Sequence, residues 1–532
     1  MLSVVTSFWV HGVEGQLVRV EVSVRTGLPI FTVVGLPAGA VREGKERVFA
    51  ALAQSGMALP PRRITVNLAP ADLPKSGSGL DLPVAVALLA ALGHVPAAAV
   101  ERCGFVGELG LDASIRPVRG AIALAMCCRA HGGGRLYVPW DNAAEAAAVP
   151  GVEVVGIRTV EEVVGLLRGE IDPAPPPTPP TVRAAGNGRD LGDIRGQELA
   201  KRALLIAAAG GHSLLMSGPP GAGKTMLAAR LAGILPPLAE AESLEVTRVH
   251  SVAGLTSREE PVKFERPFRA PHHTISAGGL VGGGNPPRPG EISLAHLGVL
   301  FLDELAEFKR SVLDTLRQPM ESGRVSVSRV GHTVNFPARF QFVGAMNPCP
   351  CGQGGDDCTC SDRDIARYRS RISGPLLDRI DLQLAIGQVG WGDLNSPGRP
   401  DGLDSAAAQK RVVRARRRQR QRFGTDDGVN ALMPARRVIS DCTLTETGEK
   451  LLESAVATYG LSARAVHRTL RVALTIADLE DRSGLGELEI AEALRLRVGV
   501  PTLRAATRAH LSAGAAVHDP ATAPLFPATP TH

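Results

Sequence analysis

Long apolar runs are missing from this 532-residue sequence, and aromatics are scarce: Trp, Tyr and Phe together make up 4% of it. No stretch reaches the roughly 20 uninterrupted apolar residues of a membrane-spanning helix. The opening segment MLSVVTSFWVHGVEG has no basic start followed by an apolar run, so no secretory leader is expected. So few rings exclude recognition by many base-stacking aromatic platforms. Strong charge of one sign is missing too; a formal net charge of +6 permits a polyanionic partner without demanding one. These absences predict a cytoplasmic protein with no membrane partner. Disulfides are disfavoured in that compartment, so the eight cysteines need another explanation.

Hydrophobic residues at 44% and charged residues at 21% are ordinary for a globular chain, and the length suggests roughly three to four domains. The segment DPAPPPTPPTVRAAGNG, Asp172 to Gly188, cannot build a core and reads as a semi-rigid linker. A softer boundary lies at Ser396 to Ser405. The expected organisation is an α/β domain over 1–169, a linker over 170–188, a second α/β core over 189–395, a helical region over 396–505 and a disordered Ala/Pro/Thr-rich tail over 506–532. In the first domain, Val18 to Val24 and Ile64 to Leu68 read as strands, and Leu82 to Leu92 and Ala121 to Ala130 as helices. No internal repeat is visible.

Residues Gly218, Pro219, Pro220, Gly221, Ala222, Gly223, Lys224 and Thr225 spell a complete phosphate-binding loop, preceded by the apolar Ser213–Met216 and followed by a helical run. Its glycines let backbone N–H groups converge on phosphate oxygens at a helix N-terminus. Lys224 reaches the β- and γ-phosphates of ATP, and Thr225 ligates Mg²⁺. Downstream, Val299–Leu302 reads as a buried parallel strand ending in Asp303 and Glu304. Asp303 suits Mg²⁺ beside Thr225, and Glu304 suits a general base for the attacking water. Asp303 lies 79 positions beyond Lys224, so an insertion is expected between the two strands. A third apolar run, Phe340–Met346, ends in Asn347. That amide either orients water near the γ-phosphate or simply forms a turn before Pro348.

Cys349, Cys351, Cys358 and Cys360 form C-x-C-x6-C-x-C immediately after Asn347. Four thiolates this close suit structural Zn²⁺; free or redox-active thiols are the alternative. Cys103, Cys127, Cys128 and Cys442 are isolated in apolar surroundings and read as core residues. The run KRVVRARRRQRQR, Lys410 to Arg422, reads either as a phosphate-contacting surface or as a solvated helix pairing with acidic neighbours.

Taken in order, GPPGAGKT, FRAPHHT, LFLDEL, NPCPCG and SGPLLDRIDL resemble the YifB/ComM family of magnesium-chelatase-like AAA+ ATPases, over roughly Leu2 to Val500. The resemblance implies a Lon-protease-like α/β domain, a P-loop AAA+ α/β core with a parallel sheet, and a C-terminal helical lid. It implies a homo-oligomer, a hexameric ring acting as a DNA helicase that promotes branch migration of recombination intermediates. Arg379 matches the arginine finger and Arg464 the lid arginine called sensor 2. The segment Arg324 to Phe340 resembles a pore hairpin, with Arg329 and His332 as DNA contacts. The stretch Phe268 to Pro289, with His272 and His273, resembles a second pore insertion; a structural loop is the alternative. Leu73 to Ala90 resembles the nucleophile loop of Lon proteases, but Gly79 holds the serine position and Ile122 the lysine position. Without that dyad the domain is expected to be a scaffold and not a protease, although Lys75, Ser76 and Ser78 leave a polar loop. Two functions remain open at this stage: a DNA motor, and a chelatase- or chaperone-like ATPase that remodels protein without DNA.

Overall fold

A computed structural model describes residues 1–37, 39–71, 75, 77–177, 190–329, 332–391 and 403–498. The tail over 506–532 and linker residues 178–188 lie outside the described residues, and so does Ser76.

The chain begins with β1 (Leu2–His11), β2 (Glu14–Arg25), β3 (Ile30–Val34), β4 (Arg63–Ala69) and β5 (Cys103–Phe105). A side ribbon of β6 (Glu108–Leu109) and β7 (Ile115–Arg116) follows, then β8 (Arg135–Pro139) and β9 (Glu153–Ile157). Seven of these form one mixed sheet, in the order β3-β4-β2-β1-β5-β8-β9. Alternation explains β2: Val18, Val20, Val22 and Val24 are buried, while Arg19 and Arg25 face outward. Each such valine stabilises the fold by about 1.5–3 kcal/mol. Helix Asp81–Ala91 is buried almost throughout, as its run of Val, Ala and Leu requires. Helix Ala121–Ala130 follows Gly120 and packs on the other face of the sheet, in a core with Phe8 and Leu136.

The second sheet is wholly parallel. Its strands β10 (Leu214–Ser217), β11 (Phe268–Arg269), β14 (Val299–Leu302), β17 (Gln341–Met346) and β18 (Leu382–Ala385) run in the order β11-β14-β17-β10-β18. Strands β10, β14 and β17 are buried from end to end, which accounts for their apolar sequence, broken only by Ser217 and Gln341 at strand ends. Between β11 and β14 the chain makes the ribbon β12 (Gly282–Gly283) and β13 (Arg288–Pro289). The hairpin β15 (Arg324–Arg329) and β16 (His332–Pro337) precedes β17. Its tip, residues 330 and 331, lies outside the described residues, as do the side chains of Arg329 and His332.

Helices Ser405–Phe423, Ala435–Asp441, Glu446–Tyr459, Ala463–Leu479 and Glu487–Val498 share one apolar core with this sheet. The basic run lies on the first of them and turns toward acids: Arg411 pairs with Glu480 at 2.9 Å and Arg422 with the buried Asp478 at 2.5 Å. Arg416 donates to the Ala208 carbonyl at 2.8 Å. The ion pairs thus tie this helix to helix Ala463–Leu479, and the Arg416 contact ties it to helix Glu198–Gly210 of the sheet domain. Cys103, Cys127, Cys128 and Cys442 are buried, and burial raises each thiol's pKa.

The two sheets meet across helix Glu240–Ala253. Its Ser251 Oγ accepts from Gly120 N at 2.9 Å and donates to the buried carboxylate of Glu145. Glu145 also accepts from Ile122 N at 2.8 Å. The first N–H groups of helix Ala121–Ala130 are thus capped partly by the neighbouring domain. Ile122 is fully buried here. Among the described residues, no helix is long and apolar enough to cross a membrane.

Candidate nucleotide-binding site

Parallel strands place all their carboxyl ends on one edge, and β17 lies between β14 and β10. The residues that follow these three strands therefore converge, although they are far apart in sequence. The loop Gly218–Gly223 leaves β10 and enters helix Lys224–Ile234. Gly221 and Gly223 have φ of +78° and +85°, a conformation that side chains rarely adopt. A Cβ on Gly218 would stand 2.3 Å from the Ile386 carbonyl oxygen, so the loop's entry also demands glycine.

Lys224 Nζ donates to the carbonyls of Gly218 at 2.6 Å and Pro219 at 2.9 Å, and to Asn347 Oδ1 at 3.2 Å. Burial pushes the Lys224 pKa below its ordinary value, opposed by the negative charges of Asp303 and Glu304. Thr225 Oγ1 donates to Asp303 Oδ2 at 2.7 Å. The other Asp303 oxygen accepts from Glu304 N at 2.9 Å. Glu304 sits at φ +51°, a left-handed position that is costly for a glutamate and typical of functional strain. Its carboxylate meets His273 Nδ1 at 2.9 Å.

Five of the residues singled out from sequence, Lys224, Thr225, Asp303, Glu304 and Asn347, thus meet at one edge of the sheet. His273 joins them, and sequence reasoning gave it no such position. FRAPHHT read as part of an insertion, yet Phe268 and Arg269 form the outer strand β11, so the histidines that follow emerge on the same edge as Asp303.

Arg379 lies at the opposite edge. Its carbonyl accepts from Ser213 Oγ at 2.8 Å, and Ser213 immediately precedes β10. The length of β10, about 13 Å, therefore separates it from the phosphate loop. Its guanidinium donates to Glu321 at 2.5 Å and to the Pro375 carbonyl at 2.7 Å. With Arg468 and Arg471 it lines a cavity of 370 Å³. Arg379 Nε, Arg468 Nη1 and Arg471 Nε are buried without a hydrogen-bond partner among the described residues. Arg464 lies one helical turn before Arg468, and its charge acts on Arg468, so it belongs to this edge as well.

A buried relay fixes the Arg379 turn. His212 Nδ1 lies 3.2 Å from Asp381 Oδ2, and His212 Nε2 lies 2.8 Å from Thr475 Oγ1 on helix Ala463–Leu479. Asp381 N donates to Ser213 Oγ at 2.9 Å. Burial would raise the Asp381 pKa, but the hydrogen bond from His212 and the charges of His212, Arg468 and Arg497 hold it below the usual carboxylate range. Nothing in the sequence flagged His212 or Asp381, because neither carries a spacing signal.

The four clustered cysteines close on one another directly after Asn347. Cys349 Sγ is 3.2 Å from Cys351 Sγ and 3.4 Å from Cys358 Sγ, and all four sulfurs lie within 4.8 Å of each other. Tetrahedral Zn–S bonds of about 2.3 Å require sulfurs about 3.8 Å apart, so this donor set fits zinc. Backbone N–H groups of Gln353 and Thr359 draw the Cys351 thiol below the ordinary range, while burial and the neighbouring sulfurs push Cys349 up. Gly352, at φ +85°, rests on the phosphate loop: a Cβ there would stand 3.1 Å from Pro220.

Comparison with known proteins bears on this geometry. The family described as "Magnesium chelatase, subunit ChlI" matches residues 190–394. Two related descriptions, "Subunit ChlI of Mg-chelatase" and "Magnesium chelatase, subunit ChlI C-terminal", match residues 20–142 and 402–497. The chain is 44% identical over 509 residues to "Competence protein ComM" of Haemophilus influenzae, covering 94% of this chain and 99% of that protein. It is 43% identical over 498 residues to "Uncharacterized protein YifB" of Escherichia coli, covering 93% of this chain and 97% of that protein. The corresponding YifB of Salmonella typhimurium is 43% identical over 492 residues, covering 91% of this chain and 95% of that protein.

Proposed function

This chain belongs to the YifB/ComM family of magnesium-chelatase-like AAA+ proteins, and from that premise we propose that it is an ATP-hydrolysing ring motor acting on DNA. The hydrogen bond from Thr225 to Asp303, beside Lys224 and Asn347, carries the ATPase reading. In this reading Lys224 and the loop N–H groups bind the β- and γ-phosphates. Thr225 and Asp303 would hold Mg²⁺, which supplies charge neutralisation on the phosphates when bound. Glu304 takes the proton of the attacking water and Asn347 orients that water. The His273 contact holds the Glu304 carboxylate aside until the γ-phosphate arrives.

Arg379 cannot serve the phosphate loop of its own chain from the far edge of the sheet. Its position supports a role at a neighbour's ATP, and hence a ring, with six subunits as the expected number. Arg464 stands on the same face and would act on the same neighbour. The domain of the first sheet serves as a Lon-like scaffold without protease activity, since Gly79 and Ile122 replace the dyad.

DNA as the substrate draws on the name of the Haemophilus relative, a competence protein. In that reading the motor promotes helicase or branch-migration steps on single-stranded or branched intermediates. The second reading, remodelling of a protein complex without DNA, draws on the magnesium-chelatase likeness. Steady-state ATP hydrolysis separates them, measured at one fixed salt concentration without DNA, with single strands, with duplex and with a four-way junction. Several-fold stimulation by single strands or by the junction is expected. A rate indifferent to every DNA form favours protein remodelling.

We also propose that Cys349, Cys351, Cys358 and Cys360 hold a structural zinc whose loop braces Pro220 and Asn347. About one zinc per chain is expected in protein purified without chelator, and none in the double variant C351S/C358S. Less than about half an equivalent in the wild type sinks the assignment.

A further inference from the structure

A cavity of 480 Å³ opens between the two sheets, away from the nucleotide pocket. One wall is the β1–β2 turn with Trp9 and His11, whose ring centroids are 5.5 Å apart. A second wall is the loop Gly77–Leu80, the one resembling a protease nucleophile loop. Asn285–Arg288, leading into β13, and Val334 of β16 close it from the ATPase side. The turn presses hard on the hairpin: a Cβ on Gly12 would stand 2.4 Å from Val334 Cγ1.

Protease chemistry is gone from this cleft. The Ser78 hydroxyl donates to Glu108, and Gly79 offers no side chain. Two guanidiniums reach it instead, Arg119 from the first domain and Arg288 from the ATPase core. Both residues are exposed, and neither guanidinium has a hydrogen bond or ion pair with a described residue. Glu108 is the acid in the lining, and its charge is met by Ser78 and by Arg116 at 3.9 Å. The uncompensated charge is therefore positive. The volume lies within the about 300–1,000 Å³ of sites that take nucleotide-sized ligands. Guanidinium forks match phosphate geometry, and a Trp–His wall suits a base or sugar.

We propose that this interdomain cleft binds single-stranded DNA, with Arg119 and Arg288 on backbone phosphates and Trp9 and His11 against a nucleoside. This rests on the reading that the chain works on DNA, and adds the first domain to the DNA path. Because Gly12 bears on Val334, a strand in the cleft touches the hairpin and both domains at once.

The test is binding of the full-length protein to a fluorescent oligothymidylate across a salt series, for the wild type, R119A/R288A and R119K/R288K. Losing two phosphate contacts should flatten the slope of log affinity against log salt by about 1.4, since each contact on a single strand contributes about 0.7. The double lysine variant should restore most of the slope, which a merely structural loss would not. ATP hydrolysis without DNA should be unchanged, because neither arginine lies in the nucleotide pocket. An unchanged slope in R119A/R288A overturns the cleft while leaving DNA action intact. A wild type that binds no oligonucleotide overturns both readings. Loss of affinity for poly-glutamate alone would make the occupant an acidic peptide and also overturn the proposal.

Discussion

Glu304→Gln is expected to lower ATP turnover by about 10²–10⁴-fold, the range of a lost general base, while Mg·ATP still binds. The amide is isosteric, so Thr225–Asp303 and the loop glycines keep their places. The contact with His273 weakens because the charge on Glu304 is gone. Lys224→Ala should behave differently. Lys224 is the buried cation closest to both the loop carbonyls and Asn347, and its loss removes phosphate binding itself. The two variants therefore separate chemistry from binding. Phosphate release at saturating ATP and equilibrium binding of a fluorescent ATP analogue provide the two measurements. Full turnover by both variants would remove the site from these residues altogether.

Arg379→Ala should also be close to inactive, by about 10³–10⁵-fold, if its guanidinium stabilises charge on a neighbour's γ-phosphate. Its chain already holds it in place. Ser213 bonds its carbonyl, and the His212–Asp381 pair ties the same turn to the lid helix through Thr475. The informative experiment mixes two inactive proteins. Lys224→Ala subunits have a dead pocket and an intact Arg379; Arg379→Ala subunits have the reverse. A mixed ring contains interfaces that join an intact pocket to an intact arginine, so partial turnover should return. No recovery at any mixing ratio would refute action between subunits.

Much of the candidate site was legible because its residues sit in contiguous words. GPPGAGKT needs its glycines for local backbone reasons, and VLFLDE carries a buried strand and its carboxylates together. His273 was not legible as a pocket residue. Its position depends on β11 pairing beside β14, and two residues of strand, Phe268 and Arg269, leave almost no periodic signal. Arg468 and Arg471 were equally silent. In a chain with 59 basic residues, nothing local separates an arginine that lines a cavity from one that meets solvent. The basic run shows the same limit. Its charge was plain, but its partners Asp478 and Glu480 lie 56 and 69 positions away, and only packing could bring them together.

By itself the sequence determined what local chemistry can determine: strands from alternation, the glycine-rich loop from its glycines, and the cysteine cluster from close spacing. Those features depend on backbone sterics and on residues within a few positions of one another. The tertiary structure alone decided which edge each residue occupies. Parallel strands send Asp303 and Asn347 to the loop of Lys224, and Arg379 and Arg464 to the other end. It also brought Arg119 and Arg288 to one cleft, because Ser251 and Glu145 dock the two domains through polar contacts between segments distant in the chain. Hydrophobic burial, which drives such docking, is non-directional and leaves no word in the sequence for the partner it selects.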